Sequence, residues 1–238
     1  MGGTKDAVRF SAEALDGFIR AVFEKLRVPS DTAGLAARTL IEASLMGVDT
    51  HGVEALDMYV DHLRAGGLDP KPEPVMLREQ GALALWDMQD GFGLAGARRI
   101  MEHAMRRAPE HGVHFVTCRR TNHIGACGVY ARMAADKGLI AMVSQETRAT
   151  FAPVGGRAPR VGTSPFGFAA PVAGGFPFVY DASFAVMTRS AMKAYLRAGK
   201  PLPDGVATDA EGEPTVDAVR AWTGQIMAIG LHRAWGWP

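Results

Sequence analysis

Apolar positions recur at helical spacing through the first seventy residues. Large apolar side chains stand three or four positions apart over residues 15–26, and Ser11 precedes them as an N-cap. A second helical pattern covers residues 29–47, and a third covers residues 53–63 before a glycine pair. These patterns predict an N-terminal helical unit in which His51 lies at the start of the third helix.

Beyond this unit, short apolar runs alternate with helical patterns. Strands are predicted near residues 83–86, 114–118 and 139–144, and helices near residues 94–105 and 129–137. Such alternation predicts an α/β architecture. A proline-rich stretch at residues 70–74 predicts a boundary between a helical unit at residues 1–72 and a second domain at residues 73–238.

One uncharged stretch has the length of a membrane span. Residues 161–180 contain no charged side chain, but three prolines and four glycines interrupt any helix there. The stretch therefore predicts buried strands and turns, and no membrane partner is expected.

Composition narrows the classes of function. The chain has 238 residues, of which 47% are hydrophobic and 21% charged, so it can bury a sizeable core. A formal net charge of +1 offers no field for a polyanion, so nucleic acid is not an expected partner. The two cysteines form no metal or disulfide framework, and the N-terminus lacks an apolar signal segment. A cytoplasmic protein without a metal site is therefore predicted.

Two histidines stand in similar local settings. Residues 49–53 read DTHGV and residues 121–125 read TNHIG, so that His51 and His123 each follow a polar residue and precede a glycine. Imidazole titrates near neutrality, which suits proton transfer to a bound substrate. A simpler interpretation stays open. Single histidines are often ordinary core or surface residues, and capping a helix would be a sufficient role for Thr50.

A glycine motif invites comparison with dinucleotide-binding loops. Residues 91–96 read GFGLAG between a predicted strand and a predicted helix. Four residues separate the strand from the first glycine, and no acidic residue ends the following strand. A turn into a helix is the preferred interpretation.

Later glycine-rich loops offer a second set of polar groups. Hydroxyl groups at Thr147, Thr163 and Ser164 are able to bind ribose or phosphate oxygens, and Asp181 is placed to pair with an imidazole. Tight turns between strands would require the same glycines and prolines, so a purely structural role is the alternative.

Five ordered segments together resemble the malate/L-lactate dehydrogenase family that is sometimes called type 2. They are GVDTHGV at residues 47–53, NHIGA at 122–126, PVGG at 153–156, GTSP at 162–165 and DAEGEPT at 209–215. The resemblance extends from about residue 10 to the end of the chain. It implies an NAD- or NADP-dependent oxidoreductase that interconverts 2-hydroxy and 2-oxo acids, or reduces cyclic imino acids, usually as a homodimer. It also implies a mixed sheet flanked by helices, with a cofactor fold that is not a Rossmann fold.

The resemblance assigns catalytic roles to named positions. Thr50, His51 and Asp181 resemble a proton-relay group, and His123 resembles the acid/base histidine of the family. Which histidine donates the proton stays open at this point.

Further positions resemble the family's cofactor contacts. These are Thr147 and the run Asp181, Ala182 and Ser183, while Arg233 stands where the family has a lysine near the cofactor. The expected ligands are therefore NAD or NADP and a small 2-oxo or 2-hydroxy acid.

Departures from the family pattern support a second class of function. Ala55 replaces an arginine that can grip a substrate carboxylate, and glycines are missing at residues 190–191 and 230–234. The chain also ends where the family continues, so a truncated member is expected. It is then either a dehydrogenase, with His51, His123 and Asp181 in one pocket, or a non-catalytic member that binds a metabolite or partner and exposes apolar surface.

Overall fold

The computed structural model describes residues 9–71, 73–150 and 158–229, and every structural statement below concerns these residues. Two parts of the sequence interpretation lie outside them. These are the PVGG segment at residues 153–156 and the late turn at residues 230–234, which includes Arg233.

Three helices form the N-terminal unit, as the periodicity predicts. They are α1 (Ala12–Lys25), α2 (Ser30–Leu45) and α3 (Leu56–Arg64). Ser11 caps α1, because its Oγ accepts a hydrogen bond from the Ala14 N–H at 3.1 Å. Their apolar faces meet in one core that contains Phe23, Leu40 and Tyr59, all fully or almost fully buried.

The prediction that His51 begins a helix is wrong. His51 ends a short 3-10 turn, Asp49–His51, and a second such turn, Val53–Ala55, precedes α3. Between them Gly52 leaves helical geometry, and a Cβ atom there would lie 2.1 Å from Ser44 Oγ on α2. Ser44 Oγ instead accepts the Val53 N–H at 2.9 Å. The chain is therefore folded tightly against α2, and the α-helix starts only afterwards.

The first sheet is mixed. Strand β1 (Val75–Gln80) pairs antiparallel with β2 (Leu83–Asp87), which pairs parallel with β3 (Phe115–Arg119). Helix α4 (Gly93–His111) connects the parallel strands, as a crossover requires. Strands β2 and β3 and helix α4 were predicted. Strand β1 was not, because its exposed sequence VMLREQ shows little alternation of apolar and polar residues.

The second sheet is antiparallel and packs against one short helix. Its strands are β4 (Ala141–Ser144), β5 (Phe166–Ala170) and β6 (Phe178–Ala182), in that order. Helix α5 (Cys127–Ala135) lies across β5, where Ala131 and Ala169 are completely buried. The prediction of strands and turns within residues 161–180 is thus confirmed, but their predicted burial is only partial, because Phe176 and Phe178 are 92% and 55% exposed.

A small third layer ends the described chain. It contains α6 (Arg189–Ala198), β7 (Ala207–Thr208), α7 (Ala218–Thr223) and β8 (Gln225–Ile226). Strands β7 and β8 form a two-stranded ladder, and Met192, Leu202 and Ile226 share a core beside it.

The predicted α/β architecture with an N-terminal helical unit is confirmed, although the described strands lie in three small sheets. The division near residue 72 stays a prediction. Phe92 and Leu94 follow that position in the sequence, yet they pack in the core of the helical unit. Among the described residues, no helix combines the length and apolar composition needed to cross a bilayer.

Two leucines of α2 test the N-terminal core with the same substitution. Leu40 is completely buried, whereas Leu45 is 72% exposed. Leu40→Ala should lower the free energy of unfolding by about 2–5 kcal/mol, because it removes buried apolar area and leaves a cavity. Leu45→Ala should change it by less than about 0.5 kcal/mol. Urea unfolding followed by circular dichroism measures both, and equal losses would contradict the assigned packing.

Candidate active site

His51 and His123 come together although they lie far apart in the sequence. His51 ends the first 3-10 turn, and His123 lies in the loop between β3 and α5. Their ring centroids are 5.5 Å apart, with an angle of 33° between the planes. Both residues are half-buried. The two similar sequence settings therefore belong to one site.

Thr50 and Gly125 define the surroundings of His51. Thr50 Oγ1 lies 2.9 Å from Nδ1 of His51, within hydrogen-bond distance. Gly125 has a φ of +77°, and a Cβ atom there would lie 3.8 Å from the His51 carbonyl oxygen. A glycine at this position thus allows the loop of His123 to turn close to His51.

The loop that carries His123 is held through its backbone. Gln145 bridges it, because its Nε2 donates to the Asn122 carbonyl at 2.9 Å and its Oε1 accepts the Ile124 N–H at 3.3 Å. On the other side, a Cβ atom at Gly93 would lie 2.5 Å from the carbonyl oxygens of Asn122 and His123. Gly93 begins α4, so the GFGLAG segment is a turn into a helix that supports this loop.

Tyr59 is a site residue that sequence reasoning missed. Its hydroxyl lies 2.7 Å from Nδ1 of His123, although 64 positions separate the two residues. Burial raises the pKa of Tyr59 well above its usual range, so the phenol keeps its proton and is able to donate it to an unprotonated Nδ1. In that tautomer, the proton of a neutral His123 lies on Nε2. In the sequence, Tyr59 is only one more apolar position of α3.

Asp181 lies at the end of β6, where α5 begins beside it. Its Oδ2 accepts a hydrogen bond from the Gly128 N–H at 2.7 Å. Burial raises the pKa of Asp181, while the Gly128 N–H and attraction to His51 act in the opposite direction. The carboxylate is therefore close enough to His51 to affect its charge.

The two histidines have different electrostatic surroundings. Burial lowers the pKa of His51, and attraction to Asp181 partly offsets this effect. Burial, together with repulsion from His51 and His62, lowers the pKa of His123 to about 4. Burial is therefore the main cause of both lowered pKa values, and only His51 is attracted by a carboxylate.

The predicted cofactor contacts lie along neighbouring loops. Thr147 Oγ1 is 3.1 Å from Thr163 Oγ1, and the Thr163 carbonyl accepts the Phe184 N–H at 2.9 Å. The segment after β4 and the segment after β6 therefore meet at Thr163. Ala182 and Ser183 are half-buried there, and Ser183 Oγ already bonds to the backbone of Ala185.

The structure also shows where Ala55 and the DAEGEPT segment lie. Ala55, where the family pattern has an arginine, is 7% exposed and belongs to the N-terminal core. In the DAEGEPT segment, the buried Asp209 accepts the N–H groups of Glu211 and Glu213 and pairs with Arg220. This segment is therefore a turn stabilised by one carboxylate.

Comparison with known proteins identifies extensive similarity. A sequence profile described as malate/L-lactate dehydrogenase matches residues 10–237. The malate dehydrogenase of Pyrococcus horikoshii is 34% identical over 237 residues, which cover 96% of this chain and 66% of that protein. The (2R)-3-sulfolactate dehydrogenase (NADP(+)) of Chromohalobacter salexigens is 32% identical over 88% of this chain and 63% of that protein.

A solved structure has the same fold. The delta1-piperideine-2-carboxylate reductase of Pseudomonas syringae pvar. tomato superposes with a TM-score of 0.89 and 26% identity. The match covers 94% of this chain and 68% of that one. The chain thus spans about two thirds of the length of the proteins that it matches.

The low pKa of His123 predicts how stability depends on pH. The unfolded chain binds this proton near pH 6.5 and the folded chain only near pH 4, so the unfolded state holds more protons in between. Stability should therefore fall as the pH is lowered through this window. His123→Gln should reduce the fall measured by urea unfolding at about pH 7 and about pH 4.5. His111→Gln, at an exposed histidine, is the control, and an unchanged fall in His123→Gln would contradict the assignment.

Proposed function

Because the chain belongs to the malate/L-lactate dehydrogenase family, we propose that it acts in hydride transfer between NAD or NADP and a small 2-hydroxy or 2-oxo acid. The observation that carries this proposal is the half-buried pair of imidazoles, 5.5 Å apart, with a carboxylate that acts on one of them. Such a group can bind a carbonyl oxygen and deliver a proton to it.

His51 is the proposed proton donor. Burial lowers the pKa of His51, but attraction of the imidazolium form to Asp181 offsets part of that effect, so His51 takes up a proton more readily than His123. Thr50 occupies Nδ1, so Nε2 is the nitrogen that exchanges a proton with the substrate oxygen. Thr50, His51 and Asp181 then form the proton-relay group that the resemblance implies.

His123 has a different proposed role. With its pKa lowered to about 4, it is neutral near pH 7. Tyr59 donates to Nδ1, so the Nε2–H of His123 is free to donate a hydrogen bond to the carbonyl oxygen. The ring would orient and polarise that carbonyl while His51 supplies the proton.

The loops beside Asp181 fit a nicotinamide cofactor. The half-buried Thr147 hydroxyl and the backbone of Ala182 and Ser183 offer the polar groups that ribose and phosphate oxygens bind. Arg233 is a further proposed contact, outside the described residues. When bound there, the nicotinamide supplies or accepts the hydride.

The proposed substrates are small acids with an oxygen on the second carbon. The names of the relatives from Pyrococcus and Chromohalobacter refer to malate and sulfolactate, and the piperideine reductase acts on a cyclic imino acid. Because Ala55 offers no guanidinium, the substrate carboxylate must be bound by another group. Both 2-oxo acids and cyclic imino acids therefore belong in the substrate screen.

A non-catalytic binding protein is the second proposed function. It is favoured by Ala55 and by apolar side chains on the first sheet, of which Leu83 and Phe115 are each 60% exposed. Such a protein would keep the fold and bind a metabolite or a partner chain, such as the second copy of a homodimer, without turnover.

Cofactor binding separates the two functions. The change in fluorescence of NADH and of NADPH on adding the protein should saturate if the cofactor site is formed. Turnover of 2-oxo acids should then follow as loss of nicotinamide absorbance. A folded protein that binds neither cofactor would contradict the dehydrogenase proposal and favour the second function.

Variants of the two histidines test the acid/base assignment. His51→Gln and His123→Gln should each lower turnover by about 10²–10⁴-fold, because each removes a group that acts on the reacting oxygen. NADH binding should change much less. His111→Gln provides the matched control, and full turnover in both site variants would show that the assignment is wrong.

Tyr59→Phe tests the orientation of His123 separately. It removes one hydroxyl from a buried ring and frees Nδ1 to take the proton. Turnover should fall about tenfold, as expected for one lost hydrogen bond in the site. The pH dependence of turnover should also shift, which a purely structural role of Tyr59 would not produce.

A further inference from the structure

A second cluster of histidines lies away from the candidate active site. Glu79 of β1, His103 of α4 and His114, directly before β3, place one ligand atom each within 4.8 Å of one another. Glu79 Oε1 lies 3.0 Å from Nε2 of His103 and 3.6 Å from Nε2 of His114. Three different elements thus converge on one carboxylate oxygen.

The imidazole of His114 lacks the partners that a buried polar ring needs. Its side chain is 0% exposed, and within the described residues neither ring nitrogen has a hydrogen-bond partner. Burying such a group without a partner is costly, so the few exceptions in folded proteins call for an explanation. A ligand bound between His114, His103 and Glu79 would provide one.

The distances from Glu79 to the two histidines match those of a tetrahedral metal site. Zinc binds imidazole nitrogen and carboxylate oxygen at about 2.0–2.1 Å, which places neighbouring ligand atoms about 3.3 Å apart. The two distances to Glu79 Oε1, 3.0 and 3.6 Å, lie on either side of that value. Two histidines and one carboxylate also form a known zinc ligand set.

We propose that Glu79, His103 and His114 bind a divalent transition-metal ion, with Zn²⁺ as the best fit. The fourth coordination position would hold water or an external ligand. Because the ligands come from β1, α4 and the start of β3, the bound ion would fasten the helix to the sheet. The principal effect is therefore on stability.

Nearby charges set the affinity of this site. Arg107 Nε donates to Glu79 Oε1 at 3.0 Å and also pairs with Glu110. Its positive charge disfavours a cation, but an ionised carboxylate has about four acceptor positions and can serve both partners. Trp86 packs its ring edge-on against His103, with centroids 5.1 Å apart, which restricts the orientation of that imidazole. No metal site was predicted from the sequence, because the three ligands form no short motif.

A Zn²⁺ titration of the chelator-treated protein, followed by calorimetry, tests the proposal. One ion should bind per chain, and Zn²⁺ should raise the thermal unfolding midpoint. His103→Gln, His114→Gln and Glu79→Gln should each weaken binding by about 10- to 100-fold or more, since even outer-shell partners contribute that much. His111→Gln should bind like the parent chain, because it removes a histidine of α4 that is not a ligand.

A Co²⁺ spectrum of the parent chain keeps the test decisive if a variant fails to fold. Tetrahedral nitrogen and oxygen ligation gives visible d–d bands without the thiolate charge-transfer absorption that binding at the exposed Cys118 would add. Thiolate absorption, no binding by the folded parent chain, or unchanged binding in all three folded variants would each overturn the proposal. If the folded parent chain does not bind, or all three variants bind unchanged, the three residues form only an ordinary hydrogen-bonded cluster.

Discussion

The candidate active site depends on one close contact between the start of α5 and the middle of β5. A Cβ atom at Gly167 would lie 2.5 Å from the carbonyl carbon of Cys127 and 2.7 Å from the Gly128 nitrogen. Only glycine allows the helix to lie this close to the strand. Gly128 in turn reaches Asp181 on the next strand, and the loop entering α5 carries His123. The same contact therefore positions a carboxylate and an imidazole near one helix start.

Electrostatics then give the two imidazoles different roles. Two full charges at the 5.5 Å that separates the rings would repel each other by about 3 kcal/mol at an effective dielectric constant of about 20. The site therefore disfavours two imidazolium ions at the same time. His51 gains from the Asp181 carboxylate, whereas His123 experiences mainly burial and repulsion. Under the proposed function, this difference suits one ring to supply a proton and the other to donate a hydrogen bond.

Sequence patterns predicted the elements with strong periodicity and missed features that arise from tertiary contacts. The helices of the N-terminal unit, Ser11 as a cap and the strands β2 to β6 follow from local patterns, and the family resemblance is confirmed. The turn that holds His51 could not be predicted, because it depends on Ser44 of another helix. Tyr59 was missed for the same reason, since the residue that gives it a role lies 64 positions away.

Ala55 lies apart from the contacts that surround the two imidazoles. The imidazoles are held by Tyr59, Gln145 and Thr50, none of which depends on the side chain at position 55. Ala55 itself is packed into the N-terminal core, so an arginine there would have to displace its neighbours before reaching a substrate. The packing around position 55 therefore suits a small side chain and not the arginine of the family pattern. Under the proposed function, the substrate carboxylate would therefore be bound by groups on other elements.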